Sequence, residues 1–523
     1  MKLTILATSD MHGYVLPTNY AEVGQDLPIG VAKVATKMQE RQLAAGADAV
    51  LKIENGDFIQ GSPLSYYIAK QPQHTAADLT QVINQLGYDV GVLGNHEFNY
   101  GIDYLQQAIA SYQHPILAAN VLGANGRPFF GQPYVILEKA GVKVAVLGVV
   151  TQYIPHWEQP TTIAGLTFKG LVETAKQYVP KLRELADIVV VAYHGGFERD
   201  LTTGEPTELL TGENEGWQLL HEVAGIDALV TGHQHREIAA VINGVPVVQP
   251  GSRGAFVGEI TLDLEREAET NQVKVLHAEA AIHSVADVKP DEAILASIAK
   301  LSEDLEVWLD QPVGQVKGDM RIADPMMARF HEHPYVEFIN KVQMAASGAK
   351  ISGTALFNNE GRGFGNTITM RDIITNYIYP NTLAVSCISG ADLKAALEQT
   401  ADYLKLTEAG KLVFNPRFIK PKPQYYNYDM YEGVDYTLDM TQPKGQRVTR
   451  LQFEGHDVAP DEELEVVINQ YRAVGGGNYA MFTPEKIIRE VQIDMTELIA
   501  DYLREHPVLD ATVNDNFVVL PEQ

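Results

Sequence analysis

The chain has 523 residues, too many for one hydrophobic core, because single cores stop growing at roughly 250 to 300 residues and longer chains divide into domains. Apolar residues make up 45% and charged residues 20%, which supplies ample material for packed cores and excludes wholesale disorder. The net charge of −27, with no Lys/Arg-rich stripe, excludes a nucleic-acid duplex as partner and leaves a small anionic substrate compatible only where cations dominate the local field.

The opening Met1 to Asp10 stretch turns polar too soon for a signal peptide. No run of about 18 apolar residues could span a bilayer. Cys387 is the single cysteine, so no intrachain disulfide can form. Together these features predict a protein without a membrane partner, acting in the cytoplasm; they carry no sign of oligomeric state.

From residue 2 to about 265, short apolar runs alternate with helical patterns, the mark of an α/β domain. Buried strands are predicted at 3–7, 49–53, 90–93, 142–149, 188–192 and 228–230. All but the 142–149 run are followed within a few residues by a polar motif containing Asp, Asn or His. Side chains at strand ends converge on one edge of a sheet, so these motifs are expected to meet in one site.

Residues 290–310 lack Gly and Pro after Pro290 and are expected to form one amphipathic helix. The predicted division is therefore a domain over 1–288, a linker helix over 289–311 and a C-terminal domain over 312–523, with a hinge near 310–318. The last segment carries most of the tyrosines and a Pro/Lys-rich loop at 416–424.

The chemistry is concentrated in Asp10-Met-His12, Gly56-Asp57, Gly94-Asn95-His96-Glu97, His194 and Gly232-His233-Gln-His235. Two divalent cations about 3.5 to 4 Å apart need a bridging carboxylate together with oxygen and imidazole ligands. Asp57 is the natural bridge; Asp10, His12 and His235 would complete one ion, and Asn95, His194 and His233 the other. In Asp10-x-His12 and His233-x-His235, the spacing would place both ligands on one side of an extended segment. A lone buried His or Asp is usually a satisfied core group, but five such motifs at predicted strand ends, flanked by Gly or Ser, point to one metal site. Zn, Mn, Fe and Co all accept these ligands.

This string of motifs resembles the signature of calcineurin-like metallophosphoesterases, in the 5′-nucleotidase branch that carries a second, C-terminal domain. The resemblance implies a four-layer αββα catalytic domain joined by a helix to a C-terminal α/β (α+β) nucleotide-binding domain. It also implies two divalent metal ions and a metal-bound water or hydroxide as nucleophile. Within the branch, 5′-nucleotidases usually carry Asp where this chain has Asn99, and that Asp pairs with the histidine at position 96. The phrase Gly94-Asn-His-Glu-Phe-Asn-Tyr-Gly101 instead resembles the bacterial 2′,3′-cyclic-nucleotide 2′-phosphodiesterase/3′-nucleotidases, as do Tyr379-Pro-Asn-Thr-Leu383 and Asn469-Gln-Tyr-Arg-Ala-Val-Gly-Gly476.

His96 is then expected to face the phosphoryl group and assist the leaving oxygen. Asn99 either deprives it of an electrostatic anchor or simply orients it by a hydrogen bond. For the nucleoside, Tyr471 matches one stacking position of the family and Tyr426 the other, with Tyr431 as the alternative; tyrosines at period 2 in a strand also read as sheet packing. Arg362, in a Gly-flanked loop, suits a phosphate or ribose contact or a surface salt bridge. The expected activity is metal-dependent hydrolysis of nucleotide phosphoesters, cyclic 2′,3′ and 3′ esters first. A 5′-nucleotidase or nucleotide-sugar hydrolase, and a catalytically silent nucleotide sensor, are the alternatives.

Overall fold

A computed structural model describes residues 1–522 other than Leu209, Pro380, Pro421 and Gln492. Pro380 of the Tyr379–Leu383 motif and Pro421 of the 416–424 loop thus lie outside the described residues. The chain divides into two compact units, Met1–Leu305 and Glu306–Gln523.

In the first unit the six predicted runs are strands, at Lys2–Thr8, Val50–Glu54, Val90–Val92, Val142–Val150, Ile188–His194 and Ala228–Val230. They are largely apolar because most of both faces is covered, with Lys2, Lys52 and Lys143 at less buried positions. Three of them lie in a six-stranded sheet ordered Val273–Ser284, Phe256–Arg266, Lys2–Thr8, Val50–Glu54, Val90–Val92, Ile116–Leu117. The other three lie in a second sheet ordered Glu237–Ile242, Val245–Pro250, Ala228–Val230, Ile188–His194, Val142–Val150, Tyr134–Lys139.

Alternation then sorts the side chains. Leu3, Ile5, Ala7, Leu51 and Ile53 of one sheet meet Val144, Val146, Ile188, Val190 and Val230 of the other in one buried core. The odd-even partners Ala145, Leu147, Val189 and Val191 pack outward onto the helices Leu171–Leu185 and Gly216–Glu222. The helix Val31–Ala45 packs on Phe256–Arg266. The result is the four-layer αββα architecture, with the parallel strands in register such that Thr8 lies opposite Glu54 and Val150 opposite His194. Their carboxyl ends therefore finish on one edge, and the polar motifs start there.

The stretch expected as one helix is two, Glu292–Ser297 and Ala299–Leu309. Ile298 leaves helical geometry at φ −116° and ψ 8°, while the Ser297 hydroxyl donates to the Ile294 carbonyl and competes with the backbone for that acceptor.

The second unit is built on a five-stranded sheet ordered Asp429–Glu432, Ile351–Ala355, Glu463–Asn469, Leu383–Ser389, Ile487–Val491, with the helix Pro334–Ser347 packed on Ile351–Ala355. Mixed sheets of four and three strands complete it. Among the described residues no helix is long and apolar enough to cross a membrane.

Candidate functional site

All seven sequence-nominated ligands meet at the carboxyl edge of the first unit. Asp10, His12 and His235 form one group and Asp57, His194 and His233 another, the ligand atoms within each lying no more than 4.8 Å apart. His194 Nε2 is 3.9 Å from Asp10 Oδ1, so the groups adjoin, and Asn95 Oδ1 is 2.8 Å from His233 Nδ1.

The means of convergence differs from the extended spacing expected. Asp10, His12, Asp57, His233 and His235 all have positive φ, between 50° and 66°. Their side chains meet because the backbone turns sharply just past the strands, in a left-handed region that costs about 1 kcal/mol or more per residue. Hydrogen bonds hold the turns: Asp10 N donates to Gly56 O, His12 N to Asp57 O and Arg253 N to Asp10 O. Glu97 clamps the second turn, accepting from Asp57 N at 2.9 Å, Phe58 N at 2.7 Å and Gly94 N at 2.6 Å. Gly94 is required at its position, since a Cβ there would lie 2.2 Å from Asp57 Oδ1.

Hydrogen bonds around the site fix the imidazole tautomers. His12 Nδ1 donates to Gln60 O at 3.0 Å and His194 Nδ1 to Asn55 O at 2.6 Å, so each turns an Nε2 lone pair inward. His233 is reversed: Nε2 lies 2.8 Å from the Glu213 carboxylate and directs Nδ1 toward Asn95 Oδ1. Such outer partners orient ligands and raise their basicity.

The residues present fit divalent ions. His194 Nε2 is buried and has no hydrogen-bond partner, although it sits 3.0 Å from Asp57 Oδ2. His12 Nε2 and His235 Nε2 face each other at 3.1 Å. Burial alone would raise the carboxyl of Asp57, yet His194, His96 and His12 hold it well below the usual carboxylate range. Burial likewise opposes charge on His194, yet Asp57 and Asp10 raise it to about 10. Imidazole nitrogens and carboxylate oxygens gathered in this way suit a borderline divalent cation.

His96 turns away from Asn95. Its N–H donates to Asp57 Oδ1 at 2.7 Å and its Nδ1 donates to Asn99 Oδ1 at 2.6 Å. Asn99 therefore orients the ring, and its Nδ2 donates in turn to Glu158 Oε1 at 2.5 Å. Burial, opposed by the Asn99 bond, pushes Glu158 up to about 7. Glu158 and Glu213 were not nominated from sequence. The available signal was the one strand, Val142–Val150, whose end carried no polar motif: the loop after it bears Glu158 and also Trp157, whose ring lies 5.2 Å from that of His233.

In the second unit, Tyr426 and Tyr471 come together, half-buried, with ring centroids 6.3 Å apart and planes at 73°. Gly476 is compelled by that ring, because a Cβ there would lie 2.7 Å from Tyr471 Cε1. Tyr431 is 1% exposed and packs on Gly353 within the sheet, so burial removes it from a base, and its assignment to substrate is corrected to sheet packing. Arg362 is exposed on its loop. A second arginine, overlooked in the sequence, organises that loop from beneath: Arg329 is fully buried, donates to Leu356 O, Asn358 O and Asn359 Oδ1, and lies 4.7 Å from the Tyr425 ring centre.

Comparison with known proteins agrees with this geometry. Residues 3–237 match the Calcineurin-like phosphoesterase family and residues 312–484 match the 5′-nucleotidase, C-terminal domain. The trifunctional nucleotide phosphoesterase protein YfkN of Bacillus subtilis (strain 168) is 28% identical over 99% of this chain, which spans only 39% of that protein's length. A 2′,3′-cyclic-nucleotide 2′-phosphodiesterase/3′-nucleotidase of Salmonella typhimurium is 29% identical over 91% of this chain and 81% of its own. The crystal structure of a candidate 5′-nucleotidase from Staphylococcus aureus, in complex with alpha-ketoglutarate, superposes with a TM-score of 0.92 at 37% identity, covering 99% of this chain and 100% of that one. Calcineurin-like phosphoesterases use a dinuclear metal centre, and the chain belongs to that family, in the group that carries a 5′-nucleotidase C-terminal domain.

Proposed function

We propose that the chain hydrolyses phosphoric esters of nucleotides, with 2′,3′-cyclic nucleotides and 3′-nucleotides as its substrates. The observation that carries the reading is the convergence of Asp10, His12, Asp57, Asn95, His194, His233 and His235 beside His96, which is held at Nδ1 by an amide rather than a carboxylate. The Salmonella relative's name supports the cyclic and 3′ esters.

In this reading Asp10, His12 and His235 hold one divalent ion and Asn95, His194 and His233 the other, with Asp57 shared. The chemistry such ions supply when bound is neutralisation of phosphoryl charge and activation of water at neutral pH; zinc, manganese, iron and cobalt all suit the donor set. Glu213, Gln60 and Asn55 keep the imidazoles in their ligating tautomers. His96, with its Nδ1 proton held by Asn99, would act as an imidazolium that donates its Nε2 proton to the leaving oxygen and is left neutral with the proton on Nδ1. Tyr426 and Tyr471 supply aromatic faces for the base, and Arg362 a guanidinium for phosphate or ribose. The lone Cys387 suits action in a reducing compartment such as the cytoplasm.

A second reading, hydrolysis of 5′-nucleotides, is favoured by the high similarity to the Staphylococcus aureus structure. Phosphate and nucleoside release from 2′,3′-cyclic AMP, 3′-AMP and 5′-AMP, with zinc or manganese added, separates the two. Turnover of the first two that disappears in Asp57→Ala is the expected result; dominance of 5′-AMP would establish the second reading, and silence on all three with ions bound would mean a binding role.

A further inference from the structure

We infer that Glu158 is a positioning residue that, through Asn99, sets which nitrogen of His96 carries its proton. The inference rests on the phosphoesterase reading and adds to it a residue and a role.

An asparagine side chain can present either its oxygen or its nitrogen to a neighbour, and the two ends have nearly the same shape. Asn99 alone would therefore leave His96 undecided. With Oδ1 toward the ring, Nδ1 must carry the proton; with Nδ2 toward the ring, Nδ1 must accept, and the proton moves to Nε2. Glu158 removes the choice. Its Oε1 lies 2.5 Å from Asn99 Nδ2, and an ionised carboxylate only accepts, so with Glu158 ionised the amide nitrogen is drawn to it and Oδ1 faces His96 Nδ1 at 2.6 Å. At 8% exposure Glu158 is shielded from competing water. The geometry is over-determined at both ends. The His96 backbone is tied to Asp57 Oδ1, and Trp157, adjacent to Glu158, sets its ring beside His233.

A glutamate one bond removed thus does for tautomer choice what a directly bound carboxylate would do, without placing a charge against the ring. The ring keeps Nε2 for the reacting oxygen: it takes up a proton there, donates it to the leaving oxygen and returns to the neutral form with its proton on Nδ1. A neutral relay of this kind is coherent with the departure at Asn99.

The test uses the full-length, zinc-loaded protein with Glu158→Leu and Glu158→Gln. Leucine removes the acceptor at similar volume, whereas glutamine retains one. Turnover is read on 3′-AMP and on bis(p-nitrophenyl) phosphate, zinc content is measured on each variant, and nitrogen-detected spectra of histidine-labelled protein locate the His96 proton, assigned by the signals lost in His96→Gln. The expected result is a fall in kcat of about 10²- to 10⁴-fold for Glu158→Leu, the range for losing general acid–base assistance or leaving a catalytic histidine in the wrong tautomer, with KM and zinc content unchanged and most of the rate retained in Glu158→Gln. The wild-type spectrum should show the proton on Nδ1. A wild-type kcat in Glu158→Leu, a neutral wild-type His96 ring protonated on Nε2 instead of Nδ1, or a loss of zinc that accounts for the lost rate would each overturn the inference. Because the synthetic ester and the spectra do not depend on the natural substrate, failure of the wild type on nucleotides alone would refute the substrate assignment and not the relay.

Discussion

Replacing Asp429 by Asn should destabilise the second unit by about 3 kcal/mol. The Asp429 and Arg472 side chains are 2% and 1% exposed. Arg472 grips the carboxylate with both Nε, 2.6 Å from Oδ2, and Nη2, 3.1 Å from Oδ1. Its Nη1 donates to Gly476 O and its Nη2 also to Asn427 Oδ1, and the guanidinium lies 3.8 Å from the Tyr479 ring centre and 5.5 Å from that of Tyr471. Asparagine keeps one acceptor and removes the charge, leaving a buried cation uncompensated. Two unit charges 4 Å apart at an effective dielectric of about 20 attract by about 4 kcal/mol, and breaking one side of a buried pair costs about 3 to 5 kcal/mol. For a unit of about 200 residues, 3 kcal/mol corresponds to a fall in melting midpoint of roughly 6 to 12 °C. Thermal unfolding followed by circular dichroism at pH 7 measures it. The Asp429→Leu/Arg472→Met double variant should recover most of the loss, because it buries no charge. A shift below 1 °C for Asp429→Asn, or a double variant as damaged as the single, would refute the reasoning.

Two further outcomes follow from the first unit. Glu213→Ala should weaken zinc binding by about 10- to 100-fold, because His233 loses the carboxylate that fixes its tautomer, as read by competition with a chromophoric chelator; unchanged affinity would show that Glu213 has no such role. Burial would raise Glu259, but His283 and Arg41 outweigh it and hold the carboxyl near 2. A depressed folded-state value means stability present above the ordinary value of about 4.3 and lost as pH falls through about 2. The gap in melting midpoint between wild type and Glu259→Gln should therefore be full at pH of about 6 and close toward pH of about 2, and a gap independent of pH would contradict the ion-pair assignment.

The candidate metal site is built on sharply turned backbone. Five of its seven nominated ligands sit at positive φ, and the hydrogen bonds that hold them come from glutamate, carbonyls and neighbouring turns rather than from regular sheet. Rigidity of this kind keeps the ligand atoms within reach of one another before any substrate arrives. It also explains the glycines in the motifs, since Gly94 and Gly232 leave room for Asp57 and for Ser9 with Asp10, respectively.

The sequence by itself determined six strands of the first unit, because burial on both faces writes a largely apolar run, and it nominated the candidate ligands, because borderline cations take imidazole and carboxylate. It also led to the expectation of more than one folding unit, since one core cannot grow to this length. Only the tertiary structure decided how the ligands converge, through left-handed turns rather than extended spacing, and which tyrosine of 425–431 is free of the sheet: Tyr431 alternates into the core, while Tyr426 precedes the strand in a 3₁₀ turn. Only it brought Glu158 to Asn99 across 59 residues and Glu213 to His233 across 20. Local pattern encodes which face of an element is buried; which distant carboxylate completes a hydrogen bond depends on loops whose paths leave no period in the sequence.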